Sequence, residues 1–258
     1  MESQALICDN NQRFTMETVH LNRVEPDQIG IRTHYTGVSI GTEFALIRGK
    51  IQWSPESLGA YPLCTGYMGS GIVESVGTEI DNFKIGDQVY FRGNTYMQMK
   101  DGTHVSCVSG AHCSHIVLNP NTTHGAAHLP DGASMETTSM FVMPAVALYG
   151  VDMANPRMGQ TVVVNGTGLI GLGVVAACSN RGCTVVAVDL SPKRLEVARK
   201  MGADYLICAE DQDVETEVMN IIPGGADCVF ECTGSPDCID SSIRLCRQFG
   251  SFVWQGHY

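Results

Sequence analysis

The stretch Thr161–Cys178, TVVVNGTGLIGLGVVAAC, runs for 18 residues without a charge. That length is close to the lower limit for a membrane-spanning helix. Asn165 and the glycines at 166, 168, 171 and 173 argue instead for a turn inside the stretch. The β-branched run TVVVN reads as a buried strand, LIGLGVVAAC as the start of a helix over Leu169–Asn180, and the glycines as the tight connection between them.

Outward from that turn, the strand–helix alternation continues to the end of the chain. Strands are predicted at Thr184–Asp189, Tyr205–Cys208, Asp227–Glu231 and Ser251–Gln255. Helices are predicted at Pro192–Met201, Asp213–Ile222 and Pro236–Arg247, and an earlier one over Met135–Met153 is broken near Pro144. Strands separated by single helices imply right-handed crossovers and a doubly wound parallel sheet, here of five strands.

The turn has the spacing G-x-G-x-x-G at Gly166, Gly168 and Gly171, enclosing Leu169 and Ile170. In a dinucleotide site the first glycine allows the tight turn and the second lets a pyrophosphate approach the backbone. The third lets helix and strand pack, and the phosphate charge meets the helix N-terminus. Asp189 closes the next strand, where a carboxylate can accept the ribose hydroxyls of NAD and repel a 2′-phosphate. Lys193 and Arg194 follow closely, so NAD is favoured over NADP without NADP being excluded. Thr233-Gly234 and Gln255-Gly256 lie at strand C-termini, where such a sheet places ligand contacts.

Upstream of about Pro130 the period changes. Short alternating segments at 29–35, 71–77, 87–93 and 113–119, separated by turn residues, suggest a small β-barrel or sandwich. The expected organisation is therefore a β domain over residues 1–130 and a nucleotide-binding domain over 131–258. The net charge of −11 would repel nucleic acid and anionic membrane, and neither is expected as a partner. The first residues lack a basic segment followed by an apolar one, which points to the cytoplasm. Eleven cysteines with no C-x-x-C pair read mainly as small buried hydrophobes rather than a disulfide framework.

Taken in order, GVSIGTEFALIRG at 37–49, TGYMGSGIVESVG at 65–77, FKIGDQV, GAHCSHIVLNP, LPDGAS, the glycine turn, DLSPKRLEVARKMGAD and DCVFECTG resemble the medium-chain dehydrogenase/reductase superfamily. The resemblance covers essentially the whole chain. It implies a GroES-like β-barrel domain followed by a Rossmann domain, a nicotinamide cofactor, a small-molecule substrate and, for the full-length form, a homo-oligomer. In cofactor binding it implies Gly166, Gly168, Leu169, Ile170, Gly171, Asp189, Arg194, Thr233 and Gly234.

Against the zinc-dependent pattern, Tyr67-Met68 stand where His-Glu is usual, Ile40 where a cysteine precedes Gly-Thr-Asp, and Met143 at a later cysteine. Phenol, thioether and hydrocarbon make a poor zinc site, so no metal is expected. His104, Cys107, His112, Cys113 and His115 invite a second metal reading, but they lack the four closely spaced cysteines of the family's structural site. Without zinc, Tyr67 is the candidate proton donor and acceptor; packing at the cleft wall is its alternative role. Thr42 would extend the proton path and Glu43 would orient Tyr67.

SIGTE and YPLCTGYMGSG look most like a zinc-lacking branch that includes bacteriochlorophyllide hydroxyethyl dehydrogenases, which oxidise a secondary alcohol with NAD. That branch has Gly-Tyr-Glu where this chain has Gly-Tyr-Met. The expected activity is interconversion of an alcohol, secondary and bulky or apolar, with its carbonyl. Zinc-free quinone or enoyl reductases are one alternative, and a non-catalytic NAD(H)-binding remnant is another. The usual sixth strand of the nucleotide fold is missing after Trp254, so the sequence reads as incomplete at its C-terminus.

Overall fold

The computed structural model describes residues 1–50, 61–107 and 109–256. Two compact units comprise Met1–Phe141 and Val142–Tyr258.

The first unit contains β1 (Glu2–Cys8), β2 (Phe14–His20), β3 (Ile29–Thr36), α1 (Ile40–Ile47), β4 (Leu63–Cys64), β5 (Gly69–Val76) and β6 (Gln88–Phe91). It continues with β7 (Gln98–Met99), β8 (Ser106–Cys107), β9 (His115–Leu118), β10 (Ala126–His128) and α2 (Met135–Thr138). The strands form two mostly antiparallel sheets, ordered β7-β2-β1-β4-β8 and β10-β6-β5-β3-β9. Alternating side chains from both sheets share one core: Ala5, Ile7 and Val19 from the first, and Ile29, Ile31, Val73, Val89, Phe91 and Ile116 from the second.

The second unit contains α3 (Val142–Ala154), β11 (Thr161–Asn165), α4 (Leu169–Asn180), β12 (Thr184–Asp189), α5 (Pro192–Lys200) and β13 (Tyr205–Cys208). After these come α6 (Val214–Ile221), β14 (Ala226–Glu231), α7 (Ile239–Arg244) and β15 (Cys246–Trp254). Every pairing is parallel, in the order β13-β12-β11-β14-β15. Both faces are covered. Val162, Val164, Val185 and Ala187 join one core with Val174, Cys178 and Leu195, while Val163, Val186, Val188 and Val229 join another with Val218 and Leu245.

The uncharged opening stretch is thus a strand, a turn and a helix, and among the described residues no helix is long and apolar enough to cross a membrane. The fold class expected from the sequence is present. Two local expectations are corrected. The segment 135–153 is two helices separated at residues 139–141, and Pro144 lies in the first turn of α3, where its missing N–H is no loss. Residues 246–247, predicted as the end of a helix, instead begin β15. Cys246 pairs with Ala226, and the register then shifts around Phe249, whose φ is 61°. The GTE segment, read only as a family motif, lies in a helix, α1.

Candidate functional site

The functional residues fall into one group in each unit. In the second unit, sheet order reverses between β11 and β14, whose last residues Asn165 and Glu231 are in register. Open α/β sheets bind ligands at the C-terminal ends of the strands beside such a reversal. Gly166 leaves β11 there with φ 89° and donates its N–H to Val188 O at 2.8 Å. A side chain on Gly171 would place Cβ 1.9 Å from Gly166 O, so α4 reaches the turn only as glycine. Gly168 caps α4 with no side-chain hydrogen bond, and a Cβ there would meet nothing within 4 Å. The first-turn amides of α4, Leu169 and Ile170 among them, face this open space without a capping side chain, an arrangement that favours an anion.

Asp189 is buried at the end of β12. Its Oδ2 accepts the Thr167 N–H at 2.7 Å and the Thr167 hydroxyl at 3.0 Å, and its Oδ1 accepts the Ser191 N–H at 2.9 Å. The carboxylate is therefore fixed in place and ties the glycine turn to β12. Arg194 is exposed, with one guanidinium nitrogen 4.0 Å from Asp189 Oδ2.

Thr233 donates its backbone N–H to Glu231 Oε1 at 3.0 Å, and its hydroxyl bonds the same oxygen; Gly234 follows with φ 74°. Glu231 is fully buried, and its Oε2 has no hydrogen-bond partner among the described residues. A carboxylate oxygen so buried is an unmet acceptor beside the reversal. An uncapped glycine cradle with an acidic residue on each side fits the pyrophosphate and hydroxyl groups of a nicotinamide dinucleotide.

In the first unit, α1 holds Thr42 and Glu43. Glu43 Oε1 accepts the Ser39 N–H at 2.7 Å, and Oε2 pairs with His112 Nε2 at 2.9 Å. The other ring nitrogen of His112 meets Thr36 Oγ1 at 2.9 Å. Burial pushes the Glu43 carboxyl up, but the hydrogen bonds from His112 and the Ser39 amide outweigh it and hold the group below its ordinary range. Gly66, at φ 87°, passes directly over His112; a Cβ would lie 2.9 Å from the ring. The Thr36–His112–Glu43 chain thus anchors the segment that carries Tyr67.

Tyr67 is buried, with the Arg92 guanidinium carbon 5.2 Å from its ring centroid. No hydrogen bond joins Tyr67 to Glu43 or Thr42 among the described residues; Glu43 instead bonds the Ser39 amide, His112 and the Thr65 side chain, two residues before Tyr67. Arg92 was missing from the sequence reading, and His112 was weighed there only as a metal ligand. Their spacing from position 43 or 67 carries no signal, although Gly66 marks a close approach.

The positions that the resemblance pairs with zinc ligands hold Ile40, which is exposed, and Tyr67, Met68 and Met143, which are buried. This donor set does not fit zinc. The histidines and cysteines weighed as a second metal site are otherwise engaged. His104 meets the Tyr96 ring, and His115 bonds Ser3. Burial pushes the Cys107 thiol up to about 12 and raises the Cys113 thiol as well, which leaves both unreactive as thiolates. Among the described residues no group of three or more such side chains is placed to hold a metal ion.

Two family descriptions match: "Alcohol dehydrogenase GroES-like domain" over residues 25–140 and "Zinc-binding dehydrogenase" over residues 170–257. Sorbitol dehydrogenase of Bacillus subtilis is 26% identical, across 98% of this chain and 74% of its own length. (R,R)-butanediol dehydrogenase of the same organism is 26% identical, across 95% of this chain and 74% of its own length. A crystal structure of a zinc-binding dehydrogenase from Sinorhizobium meliloti, bound to NADP, superposes with a TM-score of 0.82 at 21% identity, covering 99% of this chain and 77% of that one.

Proposed function

We propose that this chain, which belongs to the medium-chain alcohol dehydrogenase-like superfamily of oxidoreductases, interconverts an alcohol and its carbonyl with NAD(H) and without a catalytic zinc. The observation that carries the cofactor reading is the uncapped glycine turn at the sheet reversal, tied to the buried carboxylate of Asp189. Gly166, Gly168 and Gly171 leave room for a pyrophosphate against the Leu169 and Ile170 amides, Asp189 accepts from the adenosine ribose, and Thr233 and Gly234 border the space beyond it. A buried carboxylate at that position opposes a 2′-phosphate, which supports NAD over NADP even with Lys193 and Arg194 nearby.

Bound nicotinamide supplies the hydride for carbonyl reduction or accepts it from the alcohol carbon. The proton is the protein's task. In the zinc-dependent relatives a metal polarises the substrate oxygen, whereas here the donor set supports a phenol in that role. In reduction Tyr67 gives its hydroxyl proton to the carbonyl oxygen, and in oxidation its phenolate takes the alcohol proton. Thr42, half-buried in the first turn of α1, offers a hydroxyl for exchange with solvent. Glu43 and His112 keep the segment in position.

The test is Tyr67→Phe. Turnover is expected to fall by about 100-fold or more, within the range for loss of a general acid–base group, with NADH affinity unchanged. Wild-type turnover in Tyr67→Phe would reduce Tyr67 to a packed aromatic. Loss of activity on removing zinc from wild type, with recovery on its return, would refute the metal-free reading.

A further inference from the structure

Three arginines of the described residues are half-buried: Arg92, Arg181 and Arg247. Two of them have a carboxylate. Arg181 pairs with Asp152, and Arg247 Nε lies 2.8 Å from Asp227 Oδ1. Arg92 has none among the described residues, its Nε is buried without a hydrogen-bond partner there, and its guanidinium lies over the Tyr67 ring. A guanidinium keeps its charge in proteins, so burial without a counter-ion is costly unless something supplies one.

The position is also tightly held. Arg92 follows β6, its N–H bonds Gly125 O at 3.2 Å, and the next residue, Gly93, sits with φ 139° where a Cβ would come 2.6 Å from Ser109 O. Backbone packing thus fixes the base of the side chain beside Tyr67.

We propose that Arg92 and Tyr67 together recognise a substrate that carries a carboxylate on the carbon next to the reacting one, making it a 2-hydroxy acid or its 2-oxo acid. This rests on the reading above that Tyr67 meets the substrate oxygen. With the guanidinium carbon 5.2 Å from the ring centroid, cation and phenol are close enough to be reached by oxygens on adjacent carbons, each through a hydrogen bond of about 2.8 Å. The carboxylate meets the guanidinium fork and the neighbouring oxygen meets the phenol. A simple alcohol, with one oxygen, leaves the arginine unpaired.

The test is calorimetric titration of the full chain, without cofactor, with benzoylformate and with its methyl ester, which differ in charge at one end. Benzoylformate is expected to bind about 10- to 100-fold more tightly, the range for a hydrogen bond to a charged partner. Arg92→Met should abolish the ratio, and Arg92→Lys should keep part of it. A ratio within twofold in wild type, no detectable binding of either compound, or a ratio unchanged in folded Arg92→Met would each overturn the proposal. If Arg92→Met does not fold, the wild-type ratio decides. NADH titration of the same sample reports separately on the dehydrogenase reading, so that reading can fail while the carboxylate preference stands, and the reverse.

Discussion

Two alanine substitutions three residues apart should separate folding from cofactor binding. At Gly171 a Cβ would sit 1.9 Å from Gly166 O, and contacts under 3.0 Å essentially do not occur, so the turn must move by about 1 Å. It has little freedom to do so, because Gly166 donates to Val188 O and a Cβ on Gly166 would itself be 2.8 Å from the Thr233 nitrogen. Gly171→Ala is therefore expected to cost about 3 kcal/mol, the upper range for overpacking. At Gly168, φ is −71° and a Cβ meets nothing within 4 Å. Gly168→Ala should then change stability by less than about 1 kcal/mol, the cost of alanine at a helix cap. Its methyl group would nevertheless enter the space assigned to pyrophosphate, and NADH affinity should fall by about 10-fold or more. Urea unfolding followed by circular dichroism gives the first quantity, and nicotinamide fluorescence gives the second. Wild-type NADH affinity in Gly168→Ala, or a larger stability loss there than in Gly171→Ala, would refute the reasoning.

Glu43→Ala removes the acceptor for both the Ser39 amide and His112, and is expected to lower stability by about 3–5 kcal/mol, as for a broken buried pair. Glu43→Gln, which keeps an acceptor, should cost markedly less by the same urea measurement. The Glu43 carboxyl is held below its ordinary value in the folded chain, so its stabilising contribution is complete above the unfolded value of 4.5 and is lost as pH falls through the lower folded one. Below pH 4.5 the wild-type urea midpoint should accordingly drop more steeply than that of Glu43→Gln. Asp189→Asn keeps an acceptor for Thr167 but loses the charge. It should narrow the preference for NADH over NADPH by about 10-fold, read as the ratio of dissociation constants.

The second unit was legible because its signals are local. TVVVN, TVVAVD and YLIC are β-branched or apolar runs bounded by turns, and the bounds predicted for β11, α4, β12 and β13 agree with the structure. The last strand was misjudged because pairing with Ala226 draws Cys246 and Arg247 into the sheet, a long-range choice that no short window contains. The same applies to the Tyr67 region. The resemblance paired Ile40, Tyr67, Met68 and Met143 with the usual zinc donors, and glycines surround Tyr67. That His112 arrives from another segment to hold Glu43, and that Arg92 lies over the phenol, follows from sheet order in the first unit. Thr42 and Glu43 were recognised by motif, yet the helix that carries them was not.

The measurement that bears most directly on the central claim is titration of the chelator-treated, metal-analysed protein with NADH and with NADPH, followed by nicotinamide fluorescence. The account predicts saturable NADH binding in protein free of zinc, with NADPH at least about 10-fold weaker, as expected where a carboxylate faces a 2′-phosphate. A folded sample that binds neither cofactor, or binds NADPH more tightly, would contradict it.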